Sequence, residues 1–144
     1  MARPSGADLR RWAWGNPSMP RKPTAVSFFI PGAPRTKKNH GWRTKQGAQM
    51  PSHAFIEWNR SAQVHLAPVA RAIKQPIAVT VNCRALFYRD ALRGDAVGYY
   101  QALADALEEA GIVENDRLIV SWDGSRLLKD ADNPRIEVTL EAVE

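Results

Sequence analysis

The sequence predicts an α+β domain in which a small mixed β-sheet packs against two main helices, in the order β, basic loop or hairpin, α, β, α, β, β. Residues 77–88 alternate between apolar and polar side chains, which is typical of a half-buried strand. The segments 52–73 and 95–110 place apolar residues three and four positions apart, which is typical of amphipathic helices. The chain has 144 residues and no internal repeat, so these elements fit one domain.

The first elements are a short strand and a basic stretch. Residues 25–30 read AVSFFI, and the Pro-Gly pair that begins at Pro31 ends this strand. The stretch 31–50 reads PGAPRTKKNHGWRTKQGAQM, in which Gly41 and Gly47 allow a hairpin or an open loop.

The first helix begins after Ser52, which is a suitable N-cap. Its apolar stripe includes His65, which is therefore expected to pack in the core rather than to bind a ligand. Pro68 is expected to kink or split the helix, because proline lacks the N–H that the helix needs. The stripe consists of Phe55, Trp58, Ala62, His65 or Leu66, Val69 and Ile73.

The second half of the chain continues with the long strand 77–88, a polar connection at 89–94 and a second helix that Asp95 caps. Gly111 suits the end of this helix. Strands are predicted over 118–122 and 136–142, with a polar loop over 124–134 between them. The predicted inner face of the second helix consists of Tyr100, Leu103, Ala104, Leu107 and Ala110.

The composition is typical of a water-soluble protein. No apolar run reaches the roughly 20 residues of a membrane helix, and residues 1–23 lack the apolar centre of a secretory signal, so a cytoplasmic location is expected. We interpret 1–23 as a flexible basic arm whose Trp12 and Trp14 dock on the body or stack on bases, and 24–144 as the folded domain. Cys83 is the only cysteine and is expected to be buried.

The charge is divided unevenly along the chain. Residues 1–50 hold ten Lys and Arg against a single acid, whereas residues 51–144 hold ten against fourteen acids. The basic half indicates a polyanionic partner. No acid falls between Asp8 and Glu57, so the basic residues of 31–50 favour binding to a phosphate backbone over a merely solvated loop. A metal role for His40 in this stretch is a remote alternative.

Three segments, taken in order, resemble the RusA-type Holliday-junction resolvases. The first is FFIPGAPRTKKNHGWR at 28–43, the second is PSHAFIEW at 51–58, and the third is GDAVGYYQALADALEEAGIVENDRLI at 94–119. The third is similar to a family pattern in which D-x-D-N and a Lys open a helix that carries D-A-L and is followed by D-D and a strand. The resemblance covers roughly residues 25–144.

The resemblance implies an endonuclease that uses Mg²⁺ or Mn²⁺, with Asp95 and Asp116 as metal-binding and catalytic carboxylates. It also implies departures from the family pattern. Val97 stands at the second carboxylate, Gln101 stands at the helix Lys and inherits its catalytic position, Gly98 stands at the Asn, and Asn115 stands at the acid before Asp116. A missing carboxylate could be supplied by Asp90, Glu114 or Asp123, and the cationic role could pass to Lys37, Lys38 or Arg93.

Both carboxylates have simpler interpretations, since Asp95 can be a helix cap and Asp116 a turn residue before a strand. The leading hypothesis is a symmetric homodimer that cuts four-way DNA junctions in recombination and repair, with each site shared between subunits. The alternatives are a resolvase-like module that binds branched DNA without cutting it, and an accessory domain that binds RNA or protein. The residues expected to bind nucleic acid are Arg35, Lys37, Lys38, Asn39, Arg43, Lys45 and Arg93.

Overall fold

The computed structural model describes residues 25–37 and 42–143. The predicted arm, 1–23, lies outside these residues. No helix within them is both long and apolar enough to cross a lipid bilayer. Their elements are β1 (Ala25–Pro31), β2 (Trp42–Arg43), β3 (Gln49–Met50), α1 (His53–Ile73), β4 (Val81–Arg89), α2 (Ala96–Glu109), a 3₁₀ turn (Asp116–Leu118), β5 (Ile119–Ser121), β6 (Arg126–Lys129) and β7 (Arg135–Ala142).

The main sheet is mixed, and β4 lies at its centre. Strand β7 pairs antiparallel with both β1 and β4. On its other side β4 pairs in parallel with β5 at its start and with β6 at its end. Strands β2 and β3 form a separate small hairpin within the basic stretch. The predicted α+β class, with a mixed sheet and two main helices, is confirmed.

Both helices cover the same face of the sheet. Along β4 the odd-numbered residues from Val81 to Arg89 are buried and the even-numbered ones are not, and β1 and β7 alternate in the same way. Because only one set is buried, α1 and α2 pack on that face, and the opposite face is half-buried or exposed among the described residues. The fully buried side chains at this interface include Leu66, Phe87, Leu103, Leu107 and Leu140.

Helix α1 begins as predicted but differs in two details. The Ser52 hydroxyl oxygen accepts a hydrogen bond from the Phe55 N–H. The helix runs unbroken through Pro68, because Pro68 and Val64, whose carbonyl loses its donor, both lie on the solvent side. The expectation that His65 packs in the core is wrong: Leu66 takes the core position, and His65 is exposed.

The long strand begins later than predicted, at Val81 instead of residue 77. Ile77 is buried, but it forms an isolated bridge with Val113 after α2, and Val79 is exposed. Ile77 is therefore buried by its bridge with Val113 and does not belong to the main sheet. On α2 the inward tyrosine is Tyr99, whereas Tyr100 is half-buried.

The segment 124–134, predicted to be a loop, contains the additional strand β6. Residues 122–125 form a bulge between β5 and β6, and two side chains hold this bulge against β4. The Asn82 amide oxygen accepts bonds from the Ser121 hydroxyl and the Asp123 N–H, and its amide nitrogen donates to the Asp123 carbonyl. The Ser125 hydroxyl accepts from a β4 N–H and donates to a β4 carbonyl. The bulge positions Trp122, whose ring stacks on Tyr100 with centroids 4.5 Å apart.

Candidate metal and nucleic-acid site

Asp95 is the N-cap of α2, as predicted. Its Oδ1 accepts a hydrogen bond of 2.8 Å from the Gly98 N–H. A Cβ at Gly98 would lie 2.7 Å from this oxygen and 3.2 Å from the Thr36 methyl carbon, so only glycine fits between the cap and the basic loop. The cap engages one carboxylate oxygen, and the side chain is exposed at the start of the helix. Val97, at the second carboxylate position of the family pattern, is 67% exposed.

Asp116 lies at the other end of α2. It begins the 3₁₀ turn, and its N–H donates a bond of 2.7 Å to Oε1 of Glu108 in the last turn of the helix. The 14 residues of α2 span about 21 Å at 1.5 Å per residue. Within one chain, α2 therefore lies between Asp95 and Asp116.

One subunit does not supply a metal site from the described residues. They contain no group of three His, Cys, Asp or Glu side chains that could hold an ion. A divalent ion requires its oxygen ligands within roughly 2.1 Å, and α2 separates Asp95 from Asp116. Of the suggested replacements, Asp90 is engaged by two arginines, and Asp123 lies in the bulge held by Asn82. The described side chains of a single chain therefore do not fit the ion that the resemblance implies.

Gln101 lies on the exposed surface of α2 and interacts with Asp105 one turn later. Its Nε2 donates a bond of 2.9 Å to Asp105 Oδ1. Lys37, from the basic loop, reaches the other oxygen of the same carboxylate at 2.6 Å. The Lys37 ammonium also lies 5.5 Å from the centre of the Phe55 ring. A cation is thus present one turn from Gln101, although it comes from a distant part of the chain.

Arg35 and Arg93 meet at the carboxylate of Asp90. The distances from Asp90 Oδ2 are 3.4 Å to Arg35 Nη2 and 3.5 Å to Arg93 Nη2. The Arg93 carbonyl accepts bonds from the Tyr99 hydroxyl and from Arg89 Nη1, which fixes the connection 89–94 against α2. Burial raises the pKa of Tyr99, so this hydroxyl remains a donor at neutral pH.

The predicted basic run divides into two groups. Arg35 and Lys37 pack beside α2, whereas Arg43 and Lys45 belong to the hairpin of β2 and β3. Arg43 Nη1 donates to the Gly47 carbonyl at 3.3 Å, and Lys45 is exposed at the turn. Lys38, Asn39 and His40 lie outside the described residues.

Sequence reasoning did not select Asp105 or Tyr99 as site residues. Asp105 belongs to the D-A-L motif, and its spacing of four from Gln101 places the two on one helix face. That spacing was the available signal for Asp105. For Tyr99 the adjacent Tyr100 fits the helical stripe about as well, so the pattern alone does not distinguish them.

The chain matches a protein-family model. Residues 31–141 match the family model described as endodeoxyribonuclease RusA. The matched region begins in the basic loop, contains both helices and extends into β7. No curated protein matches the chain.

Proposed function

The chain belongs to the RusA endodeoxyribonuclease family, and on that basis we propose that it cuts four-way junctions and other branched DNA in recombination and repair. The observation that carries the proposal is the family match over 31–141, which includes the basic loop and all of α2. Asp95 and Arg93 lie at the start of α2, and Lys37 contacts Asp105 further along the same helix. The substrate phosphates and the proposed catalytic carboxylate would therefore meet on the same surface.

The proposed DNA contacts are to backbone and shape, not to base edges. Arg35 and Arg93 are cationic side chains near the start of α2, and Lys37 contacts Asp105 further along this helix. Arg43 and Lys45 extend the positive charge along the hairpin. Such residues contact phosphates, which position a protein on DNA without reading its sequence. We include Lys38 and Asn39 in this surface on the strength of the sequence alone.

We propose that the metal ion, Mg²⁺ or Mn²⁺, is bound between two subunits of a homodimer. Asp95 of one chain and the partner subunit's Asp116 would be its carboxylate ligands. A two-fold axis across α2 would bring opposite ends of two antiparallel helices together and create two equal sites. Two sites also suit a junction, which needs two symmetric cuts. In phosphodiester hydrolysis a divalent ion readies a water and stabilises the leaving oxygen.

Gln101 donates a neutral hydrogen bond and cannot offset the charge that develops on a phosphate. Lys37 is the described side chain best placed to do so, because its ammonium lies on the carboxylate that Gln101 also contacts. A fixed cation near a reacting phosphate stabilises the transition state more than the ground state. In our proposal Lys37 thus offsets the charge that develops on the reacting phosphate, and Gln101 positions Asp105.

The first test is nicking of a synthetic four-way junction in the presence of Mg²⁺ or Mn²⁺. The wild type should nick, and Asp95→Asn and Asp116→Asn should each abolish nicking while leaving junction binding intact or tighter. Glu141→Gln is the matched control, because it removes one negative charge on the open face of the sheet. Cleavage that survives in both Asp variants would place the site elsewhere.

The shared site is tested by mixing two inactive chains. Heterodimers of Asp95→Asn and Asp116→Asn chains would contain one intact site and should nick one strand. Heterodimer formation is measured separately, for example with two affinity tags. If heterodimers form and no nicking returns, the ligands are not shared between subunits.

A second candidate function is recognition of branched DNA without cleavage. It is favoured by the apolar, exposed Val97 and by the neutral Gln101. A wild type that binds a junction more tightly than a linear duplex of equal length, and never nicks it with either metal, would establish this function. Equal binding to both DNAs would instead favour the third alternative, an accessory domain for RNA or protein.

A further inference from the structure

A cavity of about 450 Å³ opens between the basic loop, the first turn of α1 and the connection that precedes α2. Its walls include Arg35 and Thr36 from the loop, Ser52 and Ala54 from the start of α1, and Arg93 and Tyr99 from the other side. Three separate parts of the chain thus form this hollow, which we term the Arg35 cavity.

The charge of the Arg35 cavity is positive. Two guanidinium groups line it, and no carboxylate is among the described residues of its walls. Asp90 contacts both guanidinium groups, but at 3.4 and 3.5 Å, well beyond the roughly 2.7–2.9 Å of a strong charge-assisted bond. One carboxylate shared at these distances leaves the pair of arginines with net positive charge and with free N–H donors.

Part of the Arg35 guanidinium group lacks a hydrogen-bond partner among the described residues. Its Nη1 is enclosed and has no hydrogen-bond acceptor among the described residues, and neither does Asp90 Oδ1 have a donor. An enclosed cationic N–H without an acceptor is unfavourable. Arg35 also lines the cavity, so its guanidinium group has an unmet need for an acceptor next to a space that a ligand could enter.

The start of α1 adds to the positive potential. The helix has 21 residues, and its first turn contains no acidic side chain. The N-terminus of a helix carries partial positive charge and favours anions. Thr36, Ser52 and His53 also line the cavity, together with Ala54 and Tyr99, which contribute apolar side chains.

We infer that the Arg35 cavity binds a phosphodiester group of the substrate strand together with part of its sugar. This inference rests on the proposed function, since branched DNA supplies the phosphodiester. Arginine suits the task because its fork of N–H donors matches two phosphate oxygens. A cavity of this size also exceeds what a single phosphate needs, so the apolar wall has room for the adjoining sugar.

The Arg35 cavity is distinct from the contact made by Lys37. Arg35 turns toward Asp90 and the cavity, whereas Lys37, two residues later, turns toward Asp105 on α2. Thr36, between them, is buried against Gly98. The loop therefore directs two cations to two separate positions, and a DNA strand that crosses the loop would give one phosphate to each.

The first experiment measures the affinity for a four-way junction at several salt concentrations. The variants are Arg93→Gln, which removes a charge, and Arg35→Lys, which keeps the charge but removes the paired N–H donors of the guanidinium group. The slope of log affinity against log salt concentration should become shallower by about 0.9 when one phosphate contact is lost. The ratio of wild-type to variant affinity should therefore fall about 3.5-fold between about 50 and 200 mM salt. Arg93→Gln should show this change, and Arg35→Lys should weaken binding with a smaller change of slope. Arg71→Gln is the control, because this exposed arginine lies about 27 Å along α1 from the cavity.

The second experiment uses a small probe, so that the cavity is tested without a junction. Thymidylyl-thymidine, which has one phosphodiester, is titrated while NMR follows the arginine side-chain Nε–H signals, with thymidine as the comparison. Saturable shifts of the Arg35 and Arg93 signals with the dinucleotide alone support the inference, whether or not the protein nicks junctions. Unchanged signals overturn it. A wild type that nicks junctions while both variants keep its affinity and salt slope also overturns it and leaves the proposed function standing.

Discussion

Replacing Asp95 by Asn, Ser and Ala will separate the structural role of this side chain from its proposed role in catalysis. In the structure Oδ1 accepts the Gly98 N–H at 2.8 Å. Asn and Ser also place an oxygen acceptor at an N-cap, whereas Ala places none. A metal site requires the negative charge, which all three replacements remove.

The expected loss of stability follows from the surroundings of the capped N–H. Replacing an N-cap Asp by Ala costs about 0.5–2 kcal/mol. Gly98 is buried beside Thr36, so water has poor access to its N–H. The cost of Asp95→Ala should therefore lie in the upper half of this range, at about 1–2 kcal/mol. At roughly 3 °C per kcal/mol for a domain of this size, the melting temperature should fall by about 3–6 °C. Asn and Ser should stay within about 0.5 kcal/mol of the wild type.

Two measurements on the same preparations test this reasoning. Urea unfolding followed by far-ultraviolet circular dichroism gives the free energy of unfolding, and junction nicking gives activity. The expected pattern is that all three variants lose nicking and only Asp95→Ala loses stability. An Ala variant as stable as the wild type would refute the cap energy, and an Asn variant that nicks at the wild-type rate would refute metal binding by Asp95.

Three further predictions concern other parts of the molecule. The double variant Val97→Asp, Gln101→Lys, which restores the family pattern on an exposed face, should raise the junction nicking rate at nearly unchanged stability; a rate at or below the wild-type value would contradict it. Cys83 is fully buried and burial raises its thiol pKa, so iodoacetamide at pH 8 should leave it unmodified in the native protein and alkylate it in urea; native modification would contradict its burial. Asn82→Ala should cost about 1–3 kcal/mol and alter the fluorescence of Trp122, because the bulge loses three hydrogen bonds; an unchanged emission spectrum would show that the bulge does not depend on Asn82.

The order of the elements could be predicted because each of the main ones buries one face of a regular pattern. The helical stripes and the alternation of 81–88 are direct consequences of that burial. The pattern failed where a residue's environment is set by another segment. Val79 continues the alternation yet is exposed, and β6 has no alternation yet pairs with the end of β4. The hydrogen bonds that hold the bulge also join distant residues: Asn82 bonds Asp123, 41 positions away, and Ser125 bonds the Ala85 N–H, 40 positions away.

The site could be predicted only in its local part. Asp95 was predicted as a cap because a cap and its helix are neighbours in sequence. The contact of Lys37 with Asp105 crosses 68 residues, and nothing in the spacing of either residue announces it. The shared use of Asp90 by Arg35 and Arg93 depends likewise on how the basic loop docks on α2. Cationic residues can be listed from a sequence, but their division between two positions follows from tertiary packing.

Two of the expected departures from the family pattern, Val97 and Gln101, are physically coupled. Positions 97, 101 and 105 follow one another at four-residue intervals, so they form one row along the exposed side of α2. In the pattern that the sequence resembles, this row would read Asp, Lys, Asp, and here it reads Val, Gln, Asp. Relative to that pattern, a carboxylate and an ammonium would be absent together and the charge of the row would be unchanged. Val97→Asp alone would add an anion with no cation one turn away, whereas Lys at 101 would neutralise it and compete with Lys37 for Asp105. The two reversions should therefore act non-additively, and the double variant should gain more activity than the two single variants together.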